Sequence, residues 1–170
     1  MTISDKEWST ILKFYSNSTH ATSSPVKPYC AFATVDEDGS PRVAPYTSLI
    51  LRGNKQGFYF DEQSRQTSSN LERDKRLCIL IVKTKWFWIK TVIFGRCEHT
   101  PNIRLLGEVG KKREATEQEL HSFKRPLKRL KLFKGYEPIW DFMKYGRDIY
   151  FDSFEPVKCR TITEIEPIYA

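Results

Sequence analysis

Three β-prone runs joined by very short turns occupy residues 30 to 60, and they constrain the fold more than any other feature. Cys30-Ala31-Phe32-Ala33-Thr34-Val35 leads through Asp36-Glu37-Asp38-Gly39 into a second run over 40–52. Gly53-Asn54-Lys55 then opens Gly57-Phe58-Tyr59-Phe60. Turns of this length join antiparallel neighbours, whereas a parallel crossover needs a dozen residues or more. The spacing therefore predicts an antiparallel meander. Pro41 and Pro45 lack the N–H a central strand needs, which places the second run at an edge or a bulge.

The remaining elements extend this reading. Ser4 and Glu7 form a capping box before Trp8, Ile11, Leu12 and Tyr15, which recur at helical spacing, and residues 16–28 read as a loop. A polar helix is predicted over 64–73, then an apolar strand over 77–83 buried on both faces, and a fifth strand over 89–98 with Gly95 as a bulge or close approach. After a linker, Thr116 and Glu119 make a second capping box, with Leu120, Phe123 and Leu127 on one face and Pro126 positioned to kink the helix. Residues 149–154 and 157–168 read as closing strands. The expected fold is mainly β with peripheral helices, an antiparallel barrel in a single domain 1–170. Its parts are an N-terminal helix and loop (1–28), a barrel core (29–98), a helical insertion (99–147) and closing strands (148–170).

Composition narrows the function classes. Lysine and arginine total 28 against 21 acids, a net +7, which suits phosphorylated cofactors, nucleic acid or an acidic membrane surface. The longest apolar run, 77–82, is strand-sized, so no membrane span is expected, and the first residues carry no secretory signal. The cysteines Cys30, Cys78, Cys97 and Cys159 are widely spaced in β-like runs, as buried reduced thiols are, so no metal site is expected. A cytoplasmic protein is expected. His20, His99 and His121 are scattered, and neither a nucleophile elbow nor a Walker loop is present. Paired acids such as Glu117 and Glu119 read as capping groups, and no residue is assigned a catalytic role.

One constellation suits an anion. Ser64-Arg65-Gln66 opens the predicted helix, where a hydroxyl, a guanidinium and free N–H groups converge, and Arg42 on the neighbouring strand offers a second cation. A surface arginine beside a capping serine is the competing interpretation.

The ordered set Ala31 to Val43, Phe58-Tyr59-Phe60, Ser64-Arg65, Leu71 and Ile93-Phe94-Gly95-Arg96-Cys97-Glu98 resembles the pyridoxamine 5'-phosphate oxidase-like family of FMN-binding split barrels. The resemblance implies a homodimer with FMN at the interface, and a flavin-dependent oxidoreductase acting on a small molecule, which the positive charge of the chain and of residues 124–134 suggests is anionic. It further implies Arg42, Ser64 and Arg65 at the phosphate, with Gln66 beside them. Val43, Ala44, Pro45, Tyr46, Thr47, the Tyr59-Phe60 pair and Lys90 would lie toward the cofactor and its ring. Thr47 stands where the family has a lysine, Phe60 where it has a threonine, and Gln66 where it has a second phosphate lysine. The C-terminal Arg-x-His that grips pyridoxamine phosphate is missing, since no histidine follows His121 and only Arg147 and Arg160 remain there. That argues against vitamin B6 oxidation.

Other readings stay open. The same barrel can hold haem, with His99 as candidate axial ligand, or a deazaflavin. Residues 124–134 combine lysines and arginines with Leu127, Leu130 and Phe133, which reads as a surface helix with one buried face or as a non-enzymatic nucleic-acid-binding patch. Trp86-Phe87-Trp88 suits a barrel corner or a dimer seam.

Overall fold

A computed structural model describes residues 3–20, 30–82, 102–127 and 143–157. Helix α1 (Asp5–His20) begins at the predicted capping box, where Glu7 Oε2 accepts from the Ser4 N–H at 2.6 Å and Ser4 Oγ accepts from the Glu7 N–H. The helix runs past Tyr15, the last residue of the apolar stripe, to His20, into a stretch expected to be loop. Trp8, Ile11 and Tyr15 are buried, and two polar tips fasten the helix. The Trp8 indole donates to the Arg52 carbonyl at 2.8 Å, and the Tyr15 hydroxyl donates to the Leu49 carbonyl.

Strands β1 (Cys30–Val35) and β2 (Pro41–Tyr46) form the first hairpin, with Gly39 supplying the positive φ of 85° that its turn needs. The expected second strand over 40–52 is two strands. β3 (Ile50–Arg52) leaves β2 at Thr47 and pairs instead with β4 (Gln56–Phe60). The described sheet runs β2-β1-β5-β6-β8-β4-β3, using β5 (Arg76–Val82), β6 (Asn102–Val109) and β8 (Tyr145–Val157), and β7 (Arg113–Glu114) pairs with β8 off this path. The simple meander is therefore corrected: β2 and β3, consecutive in sequence, end up at opposite ends of the sheet. The described pairings do not close it.

The sheet nevertheless curls around its core. Phe32 of β1 stacks on Tyr46 of β2 at 4.3 Å, and both rings meet Tyr59 of β4, at 5.0 and 5.3 Å. Strands β1 and β4 are separated by β5, β6 and β8 along the sheet, so only curvature brings these rings together. Alternation on β5 and β6 shows which side is inside. Leu77, Ile79, Ile81, Ile103, Leu105 and Val109 are buried, while Cys78, Leu80 and Leu106 are half-exposed. The expectation that β5 is buried on both faces is thus replaced by one buried and one half-open face.

Other expectations shift as well. The stretch after residue 98, read as a linker, contains β6, whose pairings run along β5 on one side and β8 on the other. The two expected closing strands are, over the described residues, one strand of 13 residues that passes through Pro156. A register shift lies between Leu106 and Gly107, where a side chain on Gly107 would collide with the Tyr150 carbonyl. Helices α2 (Arg65–Arg73) and α3 (Glu117–Leu127) pack outside. Thr116 and Glu119 cap α3 as expected, and Phe123 and Leu127 are buried against Phe58 and Phe60. Pro126 falls in the last described turn of α3. The expected strand 89–98 and Trp86-Phe87-Trp88 lie outside the described residues, as do Lys90, His99, Cys97, Cys159 and the basic stretch beyond residue 127. No helix among the described residues is long and apolar enough to cross a membrane.

Candidate functional site

The first turn of α2 holds Ser64, Arg65 and Gln66, and of the other sequence-predicted residues Tyr46 and Arg42 come beside it. Ser64 is its N-cap in extended conformation, and Ser64 Oγ accepts from the Thr67 N–H at 3.3 Å and from the Thr67 hydroxyl at 3.0 Å. Neither bond uses the Ser64 hydroxyl proton. The N–H groups of Arg65 and Gln66 precede the first intrahelical bond, Ser68 N–H to the Ser64 carbonyl, and so have no partner within the helix. Arg65 is exposed beside them.

Beneath this turn, Tyr46 is completely buried, and among the described residues its hydroxyl has no well-formed hydrogen-bond partner. It faces Ser64 and Thr67, whose hydroxyls ease its ionisation, but burial dominates and pushes it up to about 12. Tyr46 is therefore a neutral donor. An orphaned buried hydroxyl at a helix N-terminus is the kind of group a bound anion satisfies.

Arg42 arrives from β2 but is already engaged. Its Nε donates to Asp36 Oδ2 at 2.7 Å, and the Gln66 amide donates to Asp36 Oδ1 at the same distance. The Arg42 hydrogen bond, aided by the Glu37 N–H, holds the Asp36 carboxyl below its ordinary range. Arg42 and Gln66 thus meet through a carboxylate that sequence reasoning passed over as turn chemistry. Thr47, at the chain's exit from β2, is bracketed by Gln63, which donates to the Thr47 hydroxyl at 3.0 Å and accepts from its N–H at 3.3 Å. Val43 and Pro45 stand exposed on the edge strand, Val43 at 68%, with Ala44 half-buried between them.

Tyr59 and Phe60 go elsewhere. Both side chains are fully buried, Phe60 against Phe123 at 4.9 Å and Tyr59 with its hydroxyl on Asp61 at 3.2 Å. Asp61 is the centre of an interior network. It accepts from Arg147 Nε at 2.7 Å and from the Ser68 hydroxyl of α2 at 2.6 Å, and Arg147 also reaches Glu72. Burial, with the neighbouring Asp61 charge, drives the Tyr59 hydroxyl far above its ordinary value. Nothing local in the sequence signals this network, whose two central partners lie 86 positions apart.

A second charged cluster fastens α3 to the sheet. Arg113 lies between Asp148, at 2.7 Å, and Glu119, at 2.8 Å, and Arg52 pairs with the same two acids. A pocket of about 520 Å³ opens beside it, lined by Ile50, Thr116, Gln118 and Ser122 as well as Arg52, Arg113 and Glu119. Two arginines facing two acids leave no net charge to draw an ion. Among the described residues no group of three or more histidine, cysteine or acidic side chains could hold a metal.

Comparison with known proteins bears on the fold. The chain resembles, in fold, an FMN-binding protein from Syntrophomonas wolfei (17% identity, 91% of this chain and 94% of that one, TM-score 0.55). It is also similar to a protein of Vibrio cholerae described as the heme storage protein HutZ (12%, 86% and 91%, TM-score 0.50). A putative pyridoxamine 5'-phosphate oxidase from Lactobacillus delbrueckii matches at 12% identity over 91% and 93%, with TM-score 0.50. These likenesses establish the split-barrel fold. No curated protein sequence matches the chain significantly. The family model described as pyridoxamine 5'-phosphate oxidase matches residues 22–131, well over half the chain, and the chain belongs to that family.

Proposed function

We propose that this chain is an FMN-binding flavoprotein and a flavin-dependent oxidoreductase that acts, as a homodimer, on a small anionic molecule. The observation that carries the reading is the first turn of α2, where N–H groups without an intrahelical partner, the Ser64 hydroxyl and the exposed Arg65 sit above the buried Tyr46 hydroxyl, which has no well-formed partner among the described residues. These groups fit a phosphate monoester: all are donors, and charge-assisted bonds to phosphate are the strong class. Arg65, Ser64 and the α2 N–H groups would hold the phosphate. The exposed apolar Val43 and Pro45 would meet the flavin ring, with Thr47 held in place by Gln63. When bound, the flavin supplies hydride exchange, and the protein supplies orientation and electrostatics.

The homodimer has support of its own. On the half-open face of the sheet, Val43 pairs in register with Ala33, Ala33 with Cys78, and Cys78 with Leu106. A neighbouring row runs Pro45, Ala31, Leu80. Apolar side chains in adjacent rows make a surface continuous with the proposed ring site, bounded by Arg104 opposite Leu80, which suits a second copy of the chain. The decisive test is the visible spectrum of purified protein before and after FMN addition and desalting. A retained flavin band supports the reading. A protein that rejects FMN, or one with a Soret band, overturns it.

A further inference from the structure

We infer that Asp36 is a built-in competitor beside this site, a specificity-determining carboxylate that holds Arg42 and the Gln66 amide until a stronger anion draws them away. The inference rests on the phosphate reading above and deepens it. Asp36 is delivered by a tight turn. Its N–H donates to the Ser40 carbonyl at 2.8 Å, and its carbonyl accepts from the Gly39 N–H at 3.0 Å. The carboxylate therefore has little freedom to withdraw. One oxygen takes the Arg42 Nε–H, and the other takes the amide of Gln66, in the first turn of α2, together with the Glu37 N–H at 3.1 Å. Its side chain is 14% exposed while that of Arg42 is 57% exposed, so the acid sits in and the arginine leans over it.

A carboxylate that accepts from a guanidinium and from a side-chain amide on a helix's first turn takes up donors that a phosphate could use. It does so with one charge and two oxygens, where a phosphate monoester brings nearly two charges and three oxygens. Two consequences follow for any incoming anion. It must take Arg42 away from Asp36, and it must approach a fixed negative charge well inside the Debye length. A monoester has the charge to do so. A carboxylate or a phosphodiester has no advantage over Asp36, so the device selects ligands that end in a phosphate monoester. The buried Tyr46 hydroxyl lies under the same turn, without a well-formed partner among the described residues.

The test is a double-mutant cycle in which FMN is titrated against the wild type, Asp36→Asn, Arg42→Ala and the double variant, followed by flavin fluorescence. Asparagine keeps an acceptor for the Glu37 N–H and so preserves the turn. Asp36→Asn is expected to bind FMN about threefold to tenfold more tightly at low ionic strength, a gain that shrinks with added salt. The gain should shrink when Arg42→Ala is added, because the released cation is one of its two sources, and the part that remains reports the removed negative charge. If the wild type binds FMN and Asp36→Asn binds equally or more weakly, the competitor role is wrong and the phosphate site stands. If neither protein binds FMN, both readings are overturned.

Discussion

At the scale of single residues, cations in this region differ in what they are committed to. Arg42 is held by Asp36, Arg147 is buried on Asp61 and Glu72, and Arg65 stands exposed at the first position of α2. Arg65→Ala should weaken FMN tenfold or more, since a charge-assisted hydrogen bond contributes about 1.5–3 kcal/mol. Flavin fluorescence titration reads this directly, and unchanged affinity would remove Arg65 from the site. Tyr46→Phe separates stability from binding. Its hydroxyl has no well-formed partner to lose among the described residues, so denaturant unfolding of the ligand-free protein should change by less than about 1 kcal/mol, while FMN affinity falls. A large loss of stability would show that the hydroxyl is satisfied within the protein after all.

At the scale of elements, two polar clusters decide how the helices sit. Asp61 joins β4 to α2 and β8 through Ser68 and Arg147, and both members of the Asp61–Arg147 pair are essentially inaccessible. Asp61→Ala leaves Arg147 short of its buried counter-charge, and chemical denaturation should show a loss of about 3–5 kcal/mol. The α3 fastening carries a pH signature. Burial opposes ionisation of Glu119, yet Arg113 and the Thr116 N–H outweigh it and lower the carboxyl from 4.5 to about 2. Between those values the unfolded chain takes up a proton that the folded chain refuses. Glu119 therefore adds stability above pH 4.5 and loses it as the pH falls toward 2. Glu119→Gln should flatten that part of the acid unfolding curve, and an unchanged slope would place the fastening elsewhere.

At the scale of the molecule, the half-open face predicts a dimer whose contacts include Val43. Val43→Asp, which puts a charge where a second copy would bury a 68%-exposed valine, should shift analytical ultracentrifugation toward monomer. Much of the architecture was legible because local chemistry specified it: Ser4 with Glu7, Thr116 with Glu119, Ser64 at α2, and Gly39 in its turn. Elements whose reasons are remote were not. Asn102–Val109 alternates correctly, but Arg104 and Glu108 on its outer face and Gly107 within it disguised a central strand as a linker. The separation of β2 from β3 is likewise settled by pairing partners that residues 40–52 do not contain. In the site, the helix cap and its arginine could be read, whereas Asp36 looked like one more turn acid until Gln66 was seen to reach it across 30 positions. The strand β8 has a temporal consequence. It joins β6 to β4, and its partner in β4 lies almost a hundred positions earlier, as in Gln56 opposite Tyr150. On a ribosome the hairpins β1–β2 and β3–β4 emerge early but have no common frame until residues 145–157 follow, and contacts so distant in sequence form slowly. Until that strand arrives, the nascent chain carries the open strand edges and bare aromatic surface on which chaperones act.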